Sequence, residues 1–136
     1  MTEQELTPAS NPTSPRRVVV AEDESLIRLD IVEILRDNGF DVVGEAGDGE
    51  TAVQLATELR PDLVITDIMM PHVDGFQVIE TLHNDESLRD IPIIVLTAKE
   101  LTAQERERLS GQIAALLQKG SSMDEKLLQS ILAALN

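Results

Sequence analysis

Leu63-Val64-Ile65-Thr66-Asp67 is four residues of unbroken apolar or β-branched character closed by a carboxylate. A run this short and continuous suits a parallel strand covered on both faces, because a strand with one wet face alternates polar and apolar residues. The pattern has a twin upstream, where Val18-Val19-Val20-Ala21 leads into Glu22 and Asp23. If the two runs are neighbours, three carboxylates meet at one sheet edge. At ~4 Å each pair repels by about 1 kcal/mol in water and about 4 kcal/mol at an effective dielectric of 20, so the cluster needs a cation. Downstream, Ile93-Ile94-Val95-Leu96 runs into the hydroxyl of Thr97, and Ile113 to Leu117 ends close to Lys119. Acids, a hydroxyl and an ammonium at four strand ends specify a site for an anion together with a divalent metal.

The segments between these runs read as helices or turns. Glu24 to Asn38 carries Ile27, Ile31, Ile34 and Leu35 at helical spacing, and Gly39 stops it as a left-handed cap. Asp41 to Ala46 is a second strand. Asp48 to Arg60 is a helix with Ala52, Leu55, Ala56 and Leu59 on one face, ended by Pro61, and Asp48-Gly49 itself reads as a turn. Asp67 to Asp74 is loop; Phe76, Ile79 and Leu82 mark a third helix; Asn84 to Ile91 is a polar connection into the fourth strand. Thr102 to Ser110 is a charged helix. Ile113 to Leu117 has good helix propensity and is assigned as strand by its place in the alternation. Ser122 with Glu125 forms a capping box ahead of Leu127, Leu128, Ile131, Leu132 and Leu135.

Five strand–helix pairs predict an α/β fold, a doubly wound five-stranded parallel sheet with helices on both faces. The Rossmann strand order wants a glycine fingerprint after the first strand, where this chain has Ala21-Glu22-Asp23-Glu24-Ser25. The flavodoxin-like order 2-1-3-4-5 is therefore expected. It sets strands one and three side by side, with Glu22, Asp23 and Asp67 in the crevice beyond their carboxyl ends.

Composition narrows the function classes. A length of 136 residues fits one domain with its own core. With 25 acidic against 11 basic residues the formal charge is −14, which repels phosphate backbones and anionic lipid, so neither direct nucleic-acid binding nor a membrane partner is expected. No cysteine is present, and His72 and His83 stand alone, which leaves no thiolate or typical zinc site. Any metal has to be held by oxygen. No signal-peptide pattern or apolar stretch of about 20 residues occurs, so a soluble cytoplasmic protein is expected. Residues 1–15, with Pro8, Pro12 and Pro15 among polar residues, read as a disordered leader, and residues 16–136 as the folded domain.

Glu22-Asp23, then Asp67-Ile68-Met69-Met70-Pro71 with Asp74-Gly75, then Thr97-Ala98 and finally Lys119 follow one another at successive strand ends. In this order they make Arg16 to Asn136 resemble the receiver domain of two-component response regulators. The resemblance implies that Asp67 accepts a phosphoryl group from a phosphohistidine on a sensor histidine kinase or phosphotransfer domain. It implies Mg²⁺ bound by Asp23, Asp67 and the backbone carbonyl of Met69, with Glu22 acting largely through water. The downstream partner is unknown. The chemistry is consistent: a carboxylate is a poor nucleophile toward an anionic phosphoryl group, so catalysis rests on positioning and charge neutralisation. Lys119 would pair with one phosphoryl oxygen and Thr97 would donate to another. Such a chain catalyses its own phosphorylation and dephosphorylation rather than turning over an external substrate.

The chain departs from the pattern in places. Gly120 stands where receivers usually carry a proline after the lysine, and Leu116 where they usually place an aromatic. Phe40 and Phe76 are the only aromatics, so coupling through a rotating ring at that position is excluded. Either the signal leaves through Thr97 and helix repositioning or the output is weak. Met69 and Lys99 hold positions that in the family influence access of hydrolytic water, and an apolar Met69 implies a long-lived acyl phosphate. Ala21 to Val53 resembles receivers of antitermination regulators, whereas Ile91 to Asn136 resembles receivers attached to hybrid sensor kinases. The competing reading is accordingly a folded but signalling-incompetent pseudo-receiver or an engineered chimera. The chain is expected to work as an isolated receiver: a phosphoryl shuttle, a diffusible switch or a phosphate sink. A Mg²⁺ phosphohydrolase wants a general acid, commonly a second Asp two residues after the nucleophile, where Met69 stands.

Overall fold

The computed structural model describes residues 15–120 and 123–135. In chain order the elements are β1 (Arg17–Ala21), α1 (Ser25–Asp37), β2 (Asp41–Ala46), α2 (Gly49–Leu59), β3 (Leu63–Thr66), α3 (Gly75–Asn84), β4 (Ile93–Thr97), α4 (Ala103–Leu109), β5 (Ala115–Gln118) and α5 (Met123–Leu135). The strands pair in parallel in the order β2-β1-β3-β4-β5, the arrangement expected from the missing glycine fingerprint. Apart from Pro15, the expected leader lies outside the described residues, as does Ser122 of the expected capping box. Among the described residues no helix is long and apolar enough to cross a membrane.

Successive side chains of a strand face opposite ways, and here both faces are dry. Val19, Val64 and Val95 pack with Ala52, Ala56, Phe76 and Ile79 on one side. Val18, Val20, Ile65 and Ile94 pack with Ile31, Leu35, Leu127 and Ile131 on the other. Helices α2, α3 and α4 thus cover one face, and α1 and α5 the other. Each fully buried Val, Ile or Leu contributes roughly 1.5–3 kcal/mol, and the central strands are mostly such residues. That rigidity makes the strand ends a fixed platform.

Three local readings differ from expectation. β5 starts at Ala115 rather than Ile113 and runs to Gln118. Gly111 at φ +80 and the Gln112 N–H donating to Leu109 O at 3.0 Å keep the preceding residues in the turn that closes α4. The pair Asp48-Gly49 is more than a turn: Asp48 caps α2 by accepting from Thr51 N–H at 2.8 Å. The polar connection after α3 hides a core anchor, Leu88, which is 1 % exposed.

Candidate phosphoacceptor and metal site

Strand register decides which residues meet. Ala21 is paired with Thr66, so Glu22 and Asp67 leave β1 and β3 at the same level of the sheet. Thr97 is paired with Gln118, and the Lys119 N–H extends the ladder by donating to Thr97 O at 3.0 Å. Lys119 is therefore aimed by β-sheet hydrogen bonding, and the glycine that follows it does not divert it. All peptide bonds among the described residues are trans.

The Lys119 ammonium donates to Glu22 Oε1 at 2.5 Å and to Asp67 Oδ2 at 2.7 Å. All three side chains are at least nine-tenths buried, at 10, 1 and 6 % exposure. The remaining oxygen of each acid is held by backbone. Glu22 Oε2 accepts from Glu24 N–H at 3.0 Å, and Asp67 Oδ1 accepts from Ile68 N–H at 2.6 Å and Met69 N–H at 3.3 Å. Asp23 stands beside them with an exposed side chain, and carboxylate oxygens of Glu22, Asp23 and Asp67 lie within 4.8 Å of one another. Thr97 is buried and lines the same cleft as Asp67. Met69 is 58 % exposed at the mouth of a cleft of about 930 Å³ that Asp23, Asp67, Thr97 and Lys119 also line.

The electrostatics follow from this packing. Burial pushes the Glu22 carboxyl above the usual carboxylate range, and the Lys119 hydrogen bond only partly offsets it. Burial also acts against ionised Asp67, but the Lys119 hydrogen bond, helped by the neighbouring Thr97 hydroxyl, outweighs it and holds its carboxyl below that range. Burial disfavours the Lys119 cation too, yet its two carboxylate partners win and raise it. Asp67 is thus an ionised carboxylate poised beside a committed cation. The donors gathered here are hard oxygens with a surplus of negative charge, the chemistry that suits Mg²⁺ rather than a soft metal.

Further residues support the site, and of these Arg28 had no individual signal in the sequence. Arg28 Nη1 donates to Glu22 O at 2.6 Å and its Nε meets Glu45 at 3.3 Å, bracing the turn that carries Glu22 and Asp23. Gly75 and Gly49 let helix starts press on the β3–α3 loop. A Cβ on Gly75 would lie 2.2 Å from Asp67 O, and one on Gly49 1.8 Å from Val73 O. Backbone cannot yield as a flexible side chain does, so only glycine fits at either place. Asp74 and Gln77 form a capping box at α3, a spacing visible in the sequence once the helix start is placed.

A doubly wound sheet of this order, with an acid cluster and a lysine converging at the β1–β3 crevice, defines a class of phosphotransfer signalling domain. Residues 18–132 match the response regulator receiver domain, and the chain belongs to that family. Receiver domains as a class bind Mg²⁺ and interact with sensor kinases and downstream effectors. The chain is 49 % identical over 111 residues to the transcriptional regulatory protein PdtaR of Mycobacterium tuberculosis, covering 81 % of this chain and 53 % of that protein. It is 41 % identical over 96 residues to the phosphate regulon transcriptional regulatory protein PhoB of Escherichia coli, covering 71 % and 40 %. It thus spans about half the length, or less, of these relatives. Among solved structures, the signal receiver domain of the putative response regulator NarL from Mycobacterium tuberculosis superposes with a TM-score of 0.78 at 28 % identity, covering 90 % of this chain and 97 % of that one.

Proposed function

We propose that this receiver domain takes a phosphoryl group from a phosphohistidine of a sensor histidine kinase or phosphotransfer domain onto Asp67, and so switches the binding of a downstream protein. In the transfer the histidine P–N bond breaks as an Asp67 O–P bond forms, and the imidazole leaves and takes its proton from solvent. Asp23, Asp67 and the Met69 carbonyl would hold Mg²⁺, with Glu22 at the edge of the set. The ion supplies charge neutralisation for a loose, largely dissociative transition state. The chain's own groups do the rest: the backbone N–H groups of Ile68 and Met69 fix the Asp67 carboxylate, Lys119 pairs with a phosphoryl oxygen, and Thr97 donates to another. The cytoplasm, where the kinase's phosphohistidine is reached, is the expected compartment.

The observation that carries this reading is one ammonium bridging two buried carboxylates, 97 and 52 residues away in the chain, beside an exposed third acid. A buried cation shared by two acids is costly to assemble, and a charge cluster of this kind lining a cleft marks a candidate functional site. The test is Mg²⁺-dependent incorporation of label from a small acyl phosphate. Incorporation should vanish in Asp67→Ala and on chelation of the metal. A folded wild-type chain that takes no label under these conditions would instead support the signalling-incompetent or chimeric alternative, for which no feature of the site speaks.

A further inference from the structure

The loop between β4 and α4 carries a second cation that the phosphoryl transfer described above does not use. Lys99 lies two residues beyond Thr97 and lines the same cleft as Asp67, Thr97 and Lys119. Its backbone N–H donates to Thr97 Oγ at 3.2 Å, so its position is tied to the hydroxyl nearest the phosphoacceptor. Its ammonium is engaged by both oxygens of Glu105, at 2.6 and 2.7 Å. Glu105 is also the third helical residue of α4 and completes a capping box there. Its Oε1 accepts from Thr102 N–H at 2.9 Å, while Thr102 Oγ accepts from Glu105 N–H at 3.1 Å. One carboxylate therefore ties the cleft lysine to the first turn of α4. That helix is seven residues long with Leu109 alone fully buried, too short to stand without such anchors.

We propose that Lys99 is a second phosphoryl-binding cation, held by Glu105 while Asp67 is unmodified, and that its capture by phosphoryl oxygens uncouples α4 from the β4 end as the output of the switch. The inference rests on the phosphoacceptor reading and adds its regulation. Charge gives the driving force. An acyl phosphate carries roughly −1.5 to −2 where the carboxylate carried one charge, and it adds strong acceptors. Lys119 cannot absorb that increment alone, because it already answers to Glu22 and Asp67. The Lys99–Glu105 pair sits on the rim with its lysine and glutamate side chains 32 and 26 % exposed, where ion pairs are weak. A charge-assisted hydrogen bond to a phosphoryl oxygen inside the cleft is the stronger alternative. The route also supplies what Leu116 cannot. With no aromatic ring at that position, Thr97, Lys99, Glu105 and α4 form a continuous physical connection from the site to the surface.

The residues permit a clean separation of cap from ion pair. Glu105→Gln keeps a side chain that caps α4, since glutamine serves equally in a capping box, but abolishes the charge that holds Lys99. The full chain is titrated with beryllofluoride in the presence of Mg²⁺, with NMR following the Lys99 ε-methylene and amide exchange across Ala103–Leu109. Loading should shift the Lys99 resonance and speed α4 exchange severalfold in the wild type. In Glu105→Gln, α4 should exchange at the loaded rate from the outset, and loading should tighten severalfold because the competitor is gone. Lys99→Met should weaken loading about tenfold. Both side chains are partly exposed, so neither change threatens folding. Normal loading with an unmoved Lys99 resonance, or with both variants changed in the same direction or not at all, would overturn this inference alone. Failure of the wild type to load would overturn the phosphoacceptor reading and this inference with it.

Discussion

At the scale of single residues, the site is a balance in which one lysine answers for two acids, and the two ways of upsetting it are unequal. Lys119→Met leaves Glu22 and Asp67 buried and uncompensated; breaking such a pair typically costs roughly 3–5 kcal/mol. Asp67→Asn removes one of two competing acids and leaves a matched Lys119–Glu22 pair, so it should cost less than about 1 kcal/mol, the range of an ordinary polar change. The pH dependence has a definite sign. Lys119 is raised above its ordinary 10.5 in the folded chain, so its stabilisation is complete below that value and is lost as pH climbs through the folded value. Glu22 is raised above its ordinary 4.5, so its term favours folding below 4.5 and is lost as pH rises through the folded value. Without Lys119 the Glu22 penalty deepens, so urea melts of Lys119→Met should show a steeper fall in stability as pH rises above 4.5 and no alkaline limb from that lysine. Equal costs for the two variants, or a Lys119→Met curve parallel to the wild type, would show that the ammonium does not hold the cluster. The convergence of Glu22, Asp23, Asp67, Thr97 and Lys119 was legible because each ends or follows a strand, and a parallel sheet brings strand ends together whatever the loops do. Lys99 with Glu105, and Arg28 with Glu22, were not legible. Those contacts depend on how a loop folds back, and no periodicity encodes that.

At the scale of elements, what sets the aim of Asp67 is the pressure of α3 on the loop that carries it. An added methyl at Gly75 would lie 2.6 Å from Ile68 Cα as well as 2.2 Å from Asp67 O, so Gly75→Ala must displace the helix or the site loop. Overpacking of this kind costs roughly 1–3 kcal/mol, and on the proposed reading, in which the Met69 carbonyl is a ligand, it should also weaken Mg²⁺ binding. Gly47→Ala is the control: its Cβ would meet only Arg28 Nη1, at an ordinary contact distance of 3.4 Å that leaves the bond from that nitrogen to Glu22 O in place. Thermal melts and Mg²⁺ titrations of the two variants check the claim, and indistinguishable results would remove the packing argument. Helix and strand identities were readable throughout, because the runs are short and both faces of the sheet are dry. The boundary of β5 was not, since Ile113-Ala114-Ala115 suits a helix, a strand or a turn, and Gly111 with the end of α4 decides between them. Leu88 was missed for a related reason, as a single apolar residue among polar neighbours shows no period.

At the scale of the whole molecule, a formal charge of −14 makes the folded chain repel itself, and the crevice concentrates that repulsion in three carboxylates within 4.8 Å of one another. The strand order that creates the crevice was inferred from what β1 leads into, acids instead of glycines, and the topology agrees. Two effects of added salt then have to be separated. A monovalent salt screens the diffuse charge over a Debye length of about 10 Å at 0.1 M and should raise stability gradually without saturating at the site. A divalent ion seated on the cluster acts by mass action, adding about 1.4 kcal/mol when its free concentration is ten times its dissociation constant. For a domain of this size that is a rise of roughly 3–5 °C in melting temperature. Mg²⁺ should therefore exceed NaCl at matched ionic strength and level off with single-site saturation. Asp23→Asn should melt higher than the wild type without Mg²⁺, because one repelling charge is gone, yet lose most of the increment that Mg²⁺ brings. Circular dichroism melts across a Mg²⁺ series provide the measurement. If NaCl reproduces the whole rise, or if Asp23→Asn keeps it, the ion is only screening the surface and the three acids are not its seat.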